Sequence, residues 1–291
     1  MCVSIHASEM RATKIYAGEA IRDGKYVHVL SYQNEAVSLS SGPNAMILPI
    51  PAVGELGPKN AIDTRQFPKF IGDIAETTKL PTLGFGGKSL RSEAQAAQVF
   101  DVGNYTVALG SSIWNALEAC LSIPQDKRPT GINPEIVSNL AKLYKDWSFA
   151  ICCWKGDIKP EPLLWWFEPK YPHVLFAPGL DAHDGNPPLA GSPVPVDTII
   201  TFGSTLKPTG FAPIRYSGKI PTEVASLLPT YAVGQKINSL LLNGDYSYPT
   251  ANFTGTVGWD TLPSPALRVF PEWGSKGSAS TLKELTLNTW H

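Results

Sequence analysis

The chain predicts an α+β fold: antiparallel or mixed sheets around a central block of three short-to-medium helices, followed by a strand-rich C-terminal half. Three observations carry this. Period-two alternation fills the first fifty residues, helical periodicity is confined to a block between 64 and 147, and short apolar runs bounded by Pro, Gly or Asn return from 148 onward. Because the helices sit together and do not alternate with strands, a parallel βαβ sheet is not expected.

Taken in order, Val3 and Ile5 alternate with Ser4 and His6, and Ile15 and Ala17 repeat the pattern. Tyr26–Tyr32 follows the dipeptide Asp23-Gly24, a hairpin signal. Asn44–Pro51 is apolar on both faces, as in a central strand, until Pro49 and Pro51 end its capacity to donate. Phe67, Phe70, Ile71, Ile74 and Ala75 then share one helical face, predicting a helix over 64–77 with Thr64 as its N-cap. After the glycine-rich stretch Leu83–Lys88, the runs Ala97–Phe100 and Tyr105–Leu109 predict a hairpin turning through Asp101–Asn104. Ser112 caps a helix over 112–121 carrying Ile113, Leu117, Cys120 and Leu121. Asn133-Pro134, a cap followed by proline at the first helical position, opens a third helix over 133–147 with Ile136, Leu140, Leu143 and Trp147 on one face. Strands are expected over 149–154, 163–167, 173–176, 196–202, 235–242, 253–258 and 267–270, with loops at Pro187–Pro195 and Gly274–Ser280.

At 291 residues the chain is read as one domain over 1–291, with a subdivision into 1–147 and 148–291 as the alternative. Hydrophobic residues make up 43%, including eight Trp, ten Tyr and eleven Phe, which excludes a disordered chain. Charged residues are only 17% and the net charge is −1, with no basic run. The electrostatic footprint of a nucleic-acid or anionic-membrane binder is therefore missing, and neither partner is expected. No basic segment followed by an apolar one opens the chain, and no apolar run nears the ~18 residues that span a bilayer, so a cytoplasmic protein is expected. The cysteines, Cys2, Cys120, Cys152 and Cys153, lack CxxC spacing and read as reduced, buried thiols. Cys152 and Cys153, adjacent on a strand, point to opposite faces.

Chemistry-bearing residues are dense only at Asp181-Ala-His183-Asp184-Gly185, where an apolar run ends. On an extended segment Asp181 and His183 project to the same side, so they could share a metal with Asp184, or Asp181 could orient the imidazole as an acid/base. Further ligands would come from His6, His28, His173 or Glu161. The competing reading is a plain turn at Asp184-Gly185-Asn186-Pro187, since each residue type has its own turn rationale.

Cys2 is the second candidate. Removal of Met1 would place its thiol beside a free α-amine, with a strand following; this resembles N-terminal-nucleophile hydrolases over Met1-Cys2 and that strand. No arginine or asparagine motif of those hydrolases follows downstream. Gly84–Ser89 ends like a phosphate-binding loop but has Thr82 where the pattern needs glycine. No GxSxG, HExxH, HxE…CxxC or GxGxxG motif occurs, and no cofactor is read from the sequence. Trp165 and Trp166 form a candidate binding surface, facing opposite sides of one strand.

Two classes of function remain. One is a non-enzymatic binding or self-assembling protein with a protein partner, suggested by low charge, abundant Trp and missing catalytic motifs. The other is a hydrolase using Cys2 as nucleophile, or Asp181, His183 and Asp184 as a metal or acid/base site. Convergence of Cys2, His6, His28, His173 or Glu161 with His183 in one pocket favours the hydrolase, whereas Asp181–Asp184 alone on an exposed turn with Cys2 buried counts against it.

Overall fold

The computed structural model describes residues 2–76, 99–205 and 214–250, together with Phe253 and Ala266–Leu267. It is an α+β protein built on two five-stranded sheets. The first contains β1 (Val3–Ser4), β4 (Pro43–Ile50), β5 (Val99–Val102), β6 (Tyr105–Gly110) and β7 (Ser148–Lys155), in the order β1-β4-β7-β6-β5 and antiparallel throughout. The second contains β2 (Ser8–Arg22), β3 (Lys25–Ser38), β8 (Leu163–Phe167), β10 (Pro193–Ser204) and β11 (Tyr231–Leu242), in the order β11-β10-β2-β3-β8. Only β10 and β2 run parallel in it. A small third sheet joins β9 (Val174–Ala177), β12 (Tyr246–Pro249) and β13 (Ala266–Leu267).

Side-chain alternation along these strands separates three hydrophobic layers. Ile15, Leu30, Met46, Leu48, Cys152 and Trp165 meet between the two large sheets. On the outer face of the first sheet, Ala45, Ile47, Ile151 and Cys153 pack against α2 (Ile113–Cys120) and α3 (Pro134–Leu143) through Ile113, Ala116, Ile136 and Leu140. On the outer face of the second, Val27, Val29 and Leu164 meet α1 (Phe70–Glu76) and α4 (Thr222–Ala225). Helix, sheet, sheet and helix thus stack in turn. Cys152 and Cys153 fall in different layers, as adjacent strand residues must, and all four cysteines are buried and free.

The predicted caps form where expected. Ser112 Oγ accepts from Asn115 N (3.1 Å), and Asn133 Oδ1 accepts from Glu135 N (3.0 Å) ahead of Pro134. Two helices are shorter than their periodicity predicts. α1 starts at Phe70, after a turn over 65–69 that contains Pro68, while Thr64 Oγ1 donates to Pro162 O (2.6 Å) six residues ahead of it. α3 ends at Leu143 because Tyr144 leaves the helical region (φ −121°, ψ 59°), and Asp146 then takes a left-handed φ of 58°, yet Trp147 stays buried beyond the helix end. The hairpin of β5 and β6 turns at Gly103-Asn104, with Gly103 at φ 54°. α4 has no counterpart in the sequence reading, and β10 begins inside the predicted Pro187–Pro195 loop. The glycine-rich Leu83–Lys88, the Gly274–Ser280 loop and most of the strands expected at 253–258 and 267–270 lie outside the described residues. Among the described residues no helix is long and apolar enough to cross a membrane.

Candidate functional site

The first sheet does not end at β1. Residues 181–183 run alongside it in parallel, with Val3 bridged to Ala182, Ala182 N donating to Cys2 O (3.0 Å) and Ser4 N to Ala182 O (2.9 Å). Val3 and Ala182 both pack toward the α2–α3 layer. Strand alternation therefore turns Cys2, Asp181 and His183 to the opposite face, toward the second sheet.

There the three side chains meet. His183 Nε2 lies 2.9 Å from Asp181 Oδ1 and 3.6 Å from Cys2 Sγ, while the Cys2 backbone N–H donates to the same Asp181 oxygen at 3.2 Å. Cys2 is 2% exposed, and Asp181 and His183 line a cleft of about 430 Å³ with residues from β2, β10 and β11. Burial works against charge on His183, but hydrogen bonds to Asp181 and Cys2 outweigh it and raise its pKa to about 9. Burial likewise pushes the Asp181 carboxyl up, yet the His183 hydrogen bond wins and holds it below the usual carboxylate range. At neutral pH the pair is thus an imidazolium and a carboxylate, with the sulfur beside them. Tyr32 flanks the sulfur from inside the core, its phenol kept protonated by burial and then by Cys2.

A second set of residues, which the sequence reading missed, fixes this segment. Asn243 Oδ1 accepts from Asp181 N (2.7 Å) and Asn243 Nδ2 donates to Asp181 O (2.7 Å), so one side-chain amide replaces a neighbouring strand. Asp245 Oδ1 accepts from Gly179 N (2.8 Å) and Leu180 N (3.1 Å), and its Oδ2 accepts from Tyr144 OH (2.7 Å). Gly179 is required by this close approach, because a Cβ there would run into Gly244 O and the Tyr246 ring. The available signal was Asn243-Gly244-Asp245 itself, which reads as turn chemistry and gives no hint of a clamp.

The turn reading and the site reading both apply, to different residues. Asp184 faces away from the cluster: its carboxylate accepts from Asn186 N (3.0 Å) and Asn186 Nδ2 (2.8 Å), next to Gly185 at φ 79°. The suggested additional ligands do not join it. His28 is buried beside Phe167, where burial lowers its pKa to about 4. His6 N donates to Asn44 Oδ1 (3.0 Å), His173 stands exposed at a turn, and Glu161 lies against Gly103. Among the described residues no group of three or more His, Cys, Asp or Glu is arranged to hold a metal ion. Trp165 is 0% exposed inside the core between the sheets; Trp166, on the other side, lies under the Arg22 guanidinium (4.5 Å) and donates to Lys59 O (2.8 Å).

Fold and site together define an α+β protein carrying a thiol–imidazole–carboxylate cluster at a sheet edge. The chain matches no protein-family model and no curated protein. Among solved structures it is similar to a crystal structure of baculovirus P35, at 13% identity and a TM-score of 0.44, over 86% of this chain and 92% of that one. A likeness at that level says nothing about chemistry or partners.

Proposed function

We propose that the protein uses Cys2 as a nucleophile toward an acyl carbon, with His183 as its proton carrier and Asp181 holding that imidazole. The observation that carries this reading is the placement of Cys2 Sγ 3.6 Å from His183 Nε2, itself 2.9 Å from Asp181, by segments 181 and 179 residues apart in sequence. A thiol beside an imidazole is the pairing that activates cysteine nucleophiles. With His183 as base, the chemistry does not depend on a free α-amine at Cys2. In the fraction of molecules whose imidazole is neutral, the thiol proton passes to Nε2, the thiolate attacks the carbonyl carbon, and the tetrahedral adduct collapses to a thioester as the leaving group takes the proton back from the imidazolium.

The cluster differs from a hydrolase triad in one respect. In a triad the carboxylate binds one imidazole nitrogen and leaves the other to the nucleophile; here Nε2 faces both Asp181 and Cys2. With that nitrogen held protonated up to about pH 9, it is a poor base toward water, so the acylated form is expected to outlast the attack step.

The test is acylation by p-nitrophenyl acetate followed by intact mass and peptide mapping. Wild type should gain one hydroxylamine-labile acetyl group on Cys2, Cys2→Ser should not, and His183→Ala should react roughly 100-fold more slowly. Equal labelling of all four cysteines, or no loss of rate in His183→Ala, would overturn it.

A second reading, assembly with a protein partner, is favoured by α2. Trp114 (57% exposed) and Leu121 (68% exposed) lie seven residues apart, Leu121 at its C-cap.

A further inference from the structure

The cleft beside the cluster is a gap between two strands that part. β2 and β10 run in parallel register from Thr13 and Thr198 to Glu19 and Ser204. Before that point Ser8–Arg11 pairs with β3 and Pro193–Asp197 with β11, but the two stretches do not pair with each other. They separate at a bulge between Arg11 and Lys14, where Ala12 takes a left-handed φ of 50°. Both stretches line the cleft of about 430 Å³ that also reaches Asp181 and His183.

The directions of the backbone groups follow from known bonds. Ser8 N donates away from β3, to His183 O (2.8 Å). In an antiparallel ladder a residue's N–H and C=O point to one side and alternate along the strand, so those of Met10 point into the cleft. Consistently, Ala36, opposite Met10, exchanges its bonds with Ile158 on its own far side. On the other wall, Asn243 N donates to Ser192 O (2.7 Å), which by the same alternation turns Pro193, Pro195 and Asp197 toward the cleft. The prolines stand where a missing donor leaves the ladder with β11 intact. Among the described residues, two unpaired strand edges therefore face each other across the gap. Met10 supplies a donor and an acceptor, Pro195 an acceptor and Asp197 a donor.

We propose that this cleft takes an extended segment of a partner polypeptide, added as a strand between β2 and β10, with a basic side chain set against the exposed Asp197 carboxylate. The inference rests on the acyl-transfer reading and deepens it, naming a peptide as the substrate class whose carbonyl is led toward His183 and Cys2. Strand addition satisfies the paired edges through main-chain bonds. Asp197 has no ion-pair partner among the described residues, whereas Arg11 and Glu9 neutralise each other at the rim.

The experiment titrates Cys2→Ser protein, which cannot acylate on sulfur, with acetyl-Val-Lys-Val-Lys-Val-amide, followed by calorimetry. Saturable binding is expected, weakened roughly ten-fold when alternate peptide nitrogens are methylated and roughly ten-fold when both lysines become glutamates. Asp197→Asn should abolish the lysine preference; Asp197→Pro, which also removes the cleft-facing N–H, should weaken both peptides at an unchanged melting temperature. If Asp197→Pro fails to fold, the methylated peptide carries the same test. No saturable binding, or equal binding of the methylated peptide, overturns strand addition, and equal binding of the glutamate peptide overturns the basic preference. Peptide binding without acetylation of wild-type Cys2 would sink the acyl-transfer reading and leave the cleft standing; acetylation without peptide binding would do the reverse.

Discussion

Raising the pH from 6 to 10 should remove a defined share of stability through His183 alone. Its pKa rises from 6.5 to about 9 on folding, because the hydrogen bonds to Asp181 and Cys2 outweigh the burial that opposes them. The folded state thus holds this proton more tightly than the unfolded chain. The stabilisation is fully present below pH 6.5 and is lost as pH climbs through 9. At 1.36 kcal/mol per unit it amounts to about 3 kcal/mol. For a chain of this length that corresponds to roughly 5 °C in melting temperature, taking about 2 cal/mol/K of unfolding entropy per residue. Other groups titrate in the same window, so the quantity to measure is the difference between wild type and His183→Gln, by calorimetry at half-unit pH steps. The wild-type advantage should shrink by that amount between pH 6 and 10. An advantage that stays constant, or grows with pH, would show that His183 carries no extra proton in the fold, and the imidazolium–carboxylate picture would fail with it.

Two further outcomes follow from the core and from the clamp. Leu140, 1% exposed between α3 and the first sheet, should cost roughly 2–5 kcal/mol when cut to alanine, read as a lowered urea midpoint. Asp245 is the opposite case to His183: burial lifts its carboxyl from 3.8 to about 6 against the three hydrogen bonds it accepts, so its contribution is present below pH 3.8 and declines by about 3 kcal/mol as pH passes 6. Asp245→Asn should flatten the stability profile between pH 4 and 6 relative to wild type; an unchanged profile would place that titration elsewhere.

Local order was legible in the sequence wherever one element's own chemistry decides it. Ser112 and Asn133-Pro134 mark their helix starts because a cap needs only the next three residues. The strand at 163–167 is bounded as expected because its apolar run and its flanking polar and proline residues coincide. Boundaries slipped where other contacts intervened: Thr64 is tied through its hydroxyl to Pro162 O, and a turn containing Pro68 separates it from α1. Half of the site was legible in the same sense. Period-two spacing put Asp181 and His183 on one side of an extended segment, and the Asp184 turn was visible from its residue types.

The missing half was the partnership. Cys2 and His183 were separate candidates because nothing local says that residues 181–183 extend the first sheet beyond β1, a pairing fixed by two backbone bonds and by the Asn243 and Asp245 side chains. Those two residues bond the outer side of that edge, where no further strand pairs among the described residues. A polar side chain bonding a backbone across 62 or 66 residues leaves no periodicity to detect. The same holds for the cleft. Its prolines looked like loop residues until the alternation of β10 showed that each stands on the side where no ladder bond is needed. What reads as a break in the sequence is, in three dimensions, an edge left open beside a thiol.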